Sequence, residues 1–224
     1  MKIKSLNNLT DKIDMDLAWR KKELSSILLD VKESNNKHDS EQSKTIRIGI
    51  IMLYAHWEGA IKSISKFYLE YVSNLRLKYS ELKNNFLAIT MKNCLHQLSK
   101  TKKTSLHVDV INKIYEQKDV ESHIPYKDTI QTESNLNIKV FHEITATIGI
   151  DDSPIQLKEH YIDQRLLGNR NKIAHGERFE TLEGISNISD YEDLHQTILD
   201  IIDKFASKIK DAAANEEYKR TNLI

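Results

Sequence analysis

One cysteine, Cys94, is all that 224 residues contain. That excludes an internal disulfide and a cysteine-ligated zinc site, and it fits a reducing cytosol. We read Cys94 as a packed thiol. Two prolines and six glycines are too few for a collagen-like or low-complexity chain. Charge of one sign is lacking as well: 33 Lys plus Arg balance 33 Asp plus Glu. No global field therefore draws nucleic acid in, and such a partner would have to meet a local patch. No apolar run reaches the roughly 20 residues of a membrane-spanning helix. Residues 1–10, MKIKSLNNLT, carry no apolar segment of the kind a secretory leader has. The expected location is the cytoplasm, with no membrane partner.

What the chain does have is helix-forming residues. With 39% hydrophobic and 29% charged residues, and Leu, Ile, Lys and Glu plentiful, it reads as an all-α protein. The length suits one sizeable core, so residues 1–224 are taken as one domain. Over 11–33, Ile13, Leu17, Leu24, Leu28 and Val31 draw a helical stripe, with Thr10 as N-cap. A polar stretch at 34–41 breaks it. The strongest stripe, Ile46, Ile50, Leu53, Trp57, Ile61, Ile64 and Tyr68, predicts a central core helix over 43–72. Further helices are expected at 80–98, 108–117, 138–148, 158–175 and 191–213, with 104–111 open to reading as a strand. Residues 118–137, polar and holding Pro125, predict a long loop. The basic run Lys100, Lys102 and Lys103 reads as a solvated turn.

An all-helical chain can host metal and cofactor enzymes, so their signatures matter. The sequence has no His-Glu-x-x-His and no glycine-rich phosphate loop, and His142-Glu143 lacks the second histidine of a zincin helix. Glu192-Asp193-Leu194-His195 supplies one Glu-x-x-His where a di-iron bundle needs two and two further glutamates; we read it as a solvated helix face. No serine or cysteine nucleophile sits in a recognisable signature. No metal and no cofactor are expected.

The remaining motif is Arg170-Asn171-Lys172-Ile173-Ala174-His175-Gly176, at the expected end of a helix. A histidine trades protons near neutral pH, and an arginine is permanently charged and forks onto phosphate oxygens. Those are the tools of phosphodiester transesterification without a metal. Spacing alone carries little, because seven arginines and nine histidines in 224 residues give about 0.3 chance matches. A second segment, Tyr54-Ala55-His56-Trp57-Glu58-Gly59, adds to it. Together the two resemble the HEPN superfamily (higher eukaryotes and prokaryotes nucleotide-binding), whose pattern is an arginine, four to six residues and a histidine, often with a polar residue directly after the arginine, as Asn171 is here. The sequence around Trp57 is similar to the prokaryotic branch linked to toxin-antitoxin and phage-defence loci. The resemblance covers 43–72 and about 158–213; the segment from about 77 to 150 reads as an elaborating helical insertion in a HEPN-like bundle.

The resemblance implies a helical homodimer in which each chain brings Arg170 and His175 to a shared cleft, with Glu58 facing the motif, and a metal-independent endoribonuclease acting as a toxin or defence effector. RNA is the implied substrate, and an antitoxin or other defence-system protein a further implied partner. His175 would move protons at the 2'-hydroxyl or the leaving oxygen, and Arg170 would offset charge on the phosphorane. Asn171, Arg47 and Lys62 are the candidate substrate contacts. Five residues separate the pair by roughly 140° of helical arc, so convergence relies on the arginine's length, the helix end at Gly176 and two copies. Each residue has a plainer reading. Arg170 and His175 could cap and solvate a helix C-terminus, Glu58 could pair with Lys62 one turn later, and Arg47 could be a surface arginine. Asn171 could cap its helix, and His56 and Trp57 read as packing residues. At the level of function, the alternative is a bundle that binds RNA or protein and has lost catalysis.

Overall fold

The computed structural model describes residues 2–36, 38–133, 135–151, 158–159 and 161–221. Helix α1, Leu6–Glu33, starts at Ser5, whose side chain accepts from the backbone N–H of Asn8. Thr10 therefore lies inside the helix, and the expected N-cap moves five residues earlier. The chain reverses through a 3₁₀ turn, Ser34–Asn36, into α2, Asp39–Asn74. Asp39 and Glu41 in its first turn complement the positive end of the helix dipole. At 36 residues, α2 runs about 54 Å, and its whole apolar stripe from Ile46 to Val72 is buried.

Helix α2 packs on α1, on the long C-terminal helix Ile188–Ala214 and on the motif segment before it. The expected stripe thus holds, with one addition. Trp57, fully buried, meets Phe141 with ring centroids 5.7 Å apart, and Phe141 meets Phe205 at 5.8 Å. The inserted segment therefore contributes to the aromatic centre of the core. Two glycines allow close approach: a Cβ at Gly49 would lie 2.7 Å from the Tyr191 ring, and one at Gly59 would lie 2.6 Å from Arg20 Nη1. Arg20 itself is buried in the α1–α2 seam. Its Nε donates to Asp16 at 2.7 Å and its guanidinium stacks 4.6 Å over Trp19, so the charge is paired where it leaves water.

The insertion contains α3, Asn84–Thr90, α4, Lys92–Ser99, α5, Thr104–Gln117, and α6, Ile138–Ile148. The single helix expected over 80–98 is broken at Met91, and 104–111 is helix rather than strand. No residue of α4 is buried, and Val110 alone is buried in α5, so this hairpin has no solvent-excluded side to hide Cys94. The thiol is half-buried, not packed. The described residues of 118–137 form no helix, as expected, and an isolated antiparallel bridge joins Glu121 to Lys78. Among the described residues there is no strand, and no helix is long and apolar enough to cross a membrane.

The expected 158–175 helix falls partly outside the described residues. Its described part changes winding: Tyr161–Gly168 is π-helical and continues into a short α7, Asn169–Ala174. α8 is then Ile188–Ala214, capped by the Asn187 side chain. Between α7 and α8 the chain is tied back to the motif segment. Asn169, fully buried, donates to the carbonyls of Arg165 and Glu183 at 2.9 Å each and accepts from the N–H of Glu183 at 2.7 Å. Arg165 donates to the Gly184 carbonyl and Lys172 to that of Thr181.

The Glu-x-x-His of α8 is not the solvated face expected of it. Glu192 pairs with Lys32 at 2.9 Å, but His195 is buried with Nε2 3.3 Å from the Leu24 carbonyl. His56 is also buried, its Nε2 2.9 Å from Glu23. Burial pushes both imidazoles below the ordinary value of 6.5, in His56 against the pull of the Glu23 carboxylate.

Two outcomes follow from this packing. Asn169→Ala strips the partners from the Glu183 backbone N–H and carbonyl, and should cost about 2–3 kcal/mol in chemical denaturation. A cost near zero would mean that water replaces the amide. For the buried histidines, the unfolded state binds protons first as pH falls below 6.5, so stability is full above that value and declines below it towards the lower folded values. The melting temperature should drop between about pH 7 and 5, and less so in His195→Gln; an equal drop in that variant would show that His195 is protonated in the folded protein.

Candidate functional site

The motif stands where the winding of α7 ends. His175 is its C-cap with φ −85° and ψ 4°. Gly176 follows at φ 77°, a conformation that costs glycine nothing and other residues more. Its N–H reaches the Ile173 carbonyl and that of Glu177 reaches the Lys172 carbonyl, both at 3.0 Å. This pair of bonds is a Schellman motif, which satisfies the last helical carbonyls and turns the chain away sharply. The His175 side chain is left exposed at the corner. The roughly 140° of arc counted on a regular helix thus runs from a residue inside α7 to one at its cap, not between two residues within it.

Arg170 turns the other way, towards α2. Its guanidinium carbon lies 4.4 Å from the centroid of the Tyr54 ring, and its Nη1 donates to Asn171 Oδ1 at 2.8 Å. Asn171 serves twice, because its carbonyl also accepts the His175 N–H at 3.0 Å. Tyr54 is buried, and its hydroxyl accepts the N–H of Leu136 at 2.7 Å. Burial chiefly raises its pKa; the Leu136 hydrogen bond lowers it, the Glu58 carboxylate raises it and Arg170 lowers it. Glu58, half-buried and one turn along α2, is therefore electrostatically engaged with the same phenol as Arg170.

The expected residues divide accordingly. Arg170, Asn171 and Glu58 come together around Tyr54. Arg47 lies on the same face of α2, half-buried, its Nε enclosed without a hydrogen-bond partner among the described residues. Lys62 is exposed, and among the described residues no ion pair joins it to Glu58. His56 and Trp57 are packing residues, as expected, although His56 packs beside the Glu23 carboxylate. Lys102 lies exposed in the turn between α4 and α5. Among the described residues no three His, Cys, Asp or Glu side chains gather as a metal-ligand set.

Two contributors escape a reading by motif. Tyr54 belongs to the hexapeptide already singled out and stands at i−4 from Glu58, a spacing that places both on one face; that was the available signal. Asn169 gives none, since an asparagine within the helix expected over 158–175 has solvent as its ordinary surroundings, although it is fully buried here.

Comparison with known proteins bears on the family and not on these side chains. No curated protein and no protein of solved structure matches the chain. The model of one family, described as RiboL-PSP-HEPN, matches residues 15–211. The match crosses the 77–150 segment that the two motifs left uncovered, which fits a core in which Phe141 of α6 touches Trp57. With most of its length matched, the chain belongs to the RiboL-PSP-HEPN family of the HEPN superfamily.

Proposed function

We propose that the protein is a metal-independent endoribonuclease, acting as a toxin or phage-defence effector. Membership of a HEPN family supports an RNA-related role. The observation that carries the catalytic reading is the splitting of the motif: Arg170 is held rigidly on Tyr54 while His175, a few residues on, is exposed at a sharp helix end. A fixed cation and an accessible imidazole are the two groups that cleavage at an RNA phosphate needs, and a dimer is what would bring them to one phosphate.

In this reading His175 takes the proton from a ribose 2'-hydroxyl. The 2'-oxygen then bonds to phosphorus as the bond to the 5'-oxygen breaks, and a proton returns to that leaving oxygen. Arg170 offsets the charge that gathers on the non-bridging oxygens. The products are a 2',3'-cyclic phosphate and a 5'-hydroxyl. The one motif histidine of each chain serves as base or as acid, so a homodimer that brings two motifs into one cleft supplies both. Glu58 acts from behind, through Tyr54, and Asn171, Arg47 and Lys62 contact RNA. An antitoxin or another defence-system protein would restrain the activity.

A second reading has its own support. Arg170 makes contacts that a purely structural arginine would make, with its face on Tyr54 and Nη1 on Asn171. A bundle that binds RNA or protein without cutting would keep them.

The two readings part on one experiment. Purified protein in EDTA should cut single-stranded or loop RNA and leave cyclic phosphate ends. His175→Ala and Arg170→Ala should each lower the rate on the order of a hundredfold or more with the fold intact, and Lys102→Ala should do far less. DNA, or RNA methylated at the 2'-oxygen of the cut site, should resist. Cleavage of those substrates at an equal rate, or loss of activity with EDTA, would overturn the mechanism; tight RNA binding without cleavage would establish the binding reading.

A further inference from the structure

We propose that Tyr54 is a positioning residue of the site, which holds Arg170 in the one orientation that presents it to an RNA phosphate. The proposal deepens the ribonuclease reading and rests on it for the identity of the ligand.

A guanidinium 4.4 Å from the ring centroid engages the tyrosine through its face, an attraction of about 0.5–2 kcal/mol depending on exposure. Its N–H donors lie in its own plane. Its place over the ring restrains where the guanidinium sits, and the bond from Nη1 to Asn171 at 2.8 Å restrains how it turns there. A free arginine carries about 2 kcal/mol of rotamer entropy. Restricting that freedom before the phosphate arrives lowers, once, the ordering cost of binding it.

The ring is in turn held from behind. Tyr54 is buried, so its hydroxyl needs partners. The Leu136 N–H supplies one at 2.7 Å, and the phenolic proton is left to face the neighbouring Glu58 carboxylate. Leu136 is itself anchored. Two residues on, the N–H of Ile138 donates to Asp163 Oδ1 at 2.9 Å, and Asp163 belongs to the π-helical turn that leads into Arg170. The path closes on itself: Tyr54 to Leu136, through Ile138 to Asp163, along the π turn to Arg170, and back onto the Tyr54 ring. The 77–150 segment thus bears on Arg170 through the Tyr54 hydroxyl.

Tyr54→Phe and Tyr54→Leu separate the two halves of the arrangement. The first keeps the ring and loses the hydroxyl; the second loses the stack. In side-chain NMR, the Arg170 δ-protons, assigned by their absence in Arg170→Lys, should be shifted upfield by the ring current in the native protein and in Tyr54→Phe, and return to ordinary values in Tyr54→Leu. Binding of a 2'-O-methylated RNA oligomer, which cannot be cut, should weaken about tenfold in Tyr54→Leu and no more than about threefold in Tyr54→Phe. Tyr54→Leu combined with Arg170→Ala should bind no worse than Arg170→Ala alone, because the two act as one unit.

An Arg170 shift at its ordinary value in the native protein would overturn the proposal, as would losses that multiply in the double variant. If Tyr54→Leu does not fold, the native and Tyr54→Phe spectra and affinities decide it. Absence of cleavage in every protein, with these shifts and affinities as expected, would sink the ribonuclease reading and leave Tyr54 as the positioning residue of an RNA-binding arginine.

Discussion

Helix α2 cannot leave its apolar stripe in water, and the rest of the molecule is arranged around that constraint. From Ile46 to Val72 the stripe is buried, and at about 1.5–3 kcal/mol for each large side chain removed from water it is the largest single source of stability in reach. One neighbour could not cover a helix of 36 residues on more than one side. Helix α1 lies along one flank, α8 along another, and α6 closes the middle by setting Phe141 between Trp57 and Phe205. The face left over is the one that receives the motif segment. Tyr54 lies one turn before Glu58 there, and the site is built on a surface that core packing has already made rigid.

The same constraint explains what was legible in the sequence. Residues whose job is packing repeat with the helical period, so the Ile46-to-Tyr68 stripe and the stripe of α1 could be read directly. The arginine and the histidine became legible only once the Tyr54–Gly59 segment was set beside their spacing, and the glycine that ends α7 through turn chemistry. Residues that join elements through one specific hydrogen bond have no period. Asn169 pins α7 to Glu183, Ser5 caps α1 and His195 leans on the Leu24 carbonyl, and each is a polar residue whose default reading is solvent. Arg20 misleads in the same direction: Asp16 stands four residues before it on α1, but its burial against α2, where its guanidinium also reaches Ser63, is made only by the fold. The π winding of Tyr161–Gly168 leaves the apolar pattern almost as an α-helix would, so the pattern could not show it.

The insertion has the opposite character. Its outer hairpin, α4 and α5, keeps Leu106, Val108, Ile111 and Tyr115 exposed and buries only Val110, so it adds little to the core. Its inner edge is a different matter. Ile130, Leu136, Phe141 and Ile144 are buried in the main hydrophobic cluster, and the backbone at Leu136 and Ile138 bonds to Tyr54 and Asp163. A motif search finds nothing there, since what matters is two backbone N–H groups that any residue but proline would supply. The family match from 15 to 211 includes this edge, which is what a core and a site that both depend on it require.

The exposure of His175 and the anchoring of Arg170 follow from a single local choice, the end of α7. Had the helix continued past His175, the imidazole would stand on a helix flank about 140° of arc from Arg170, with the intervening turn between them. Ending it with Gly176 in the left-handed region lifts that side chain to a corner while Arg170, five residues earlier, stays within the helix against α2. Lys172, Asn169 and Arg165 hold the outgoing chain by its carbonyls, so the corner is fixed from outside as firmly as Arg170 is fixed from within. Termination, not continuous winding, is what makes one motif present an anchored guanidinium and an exposed imidazole in two directions.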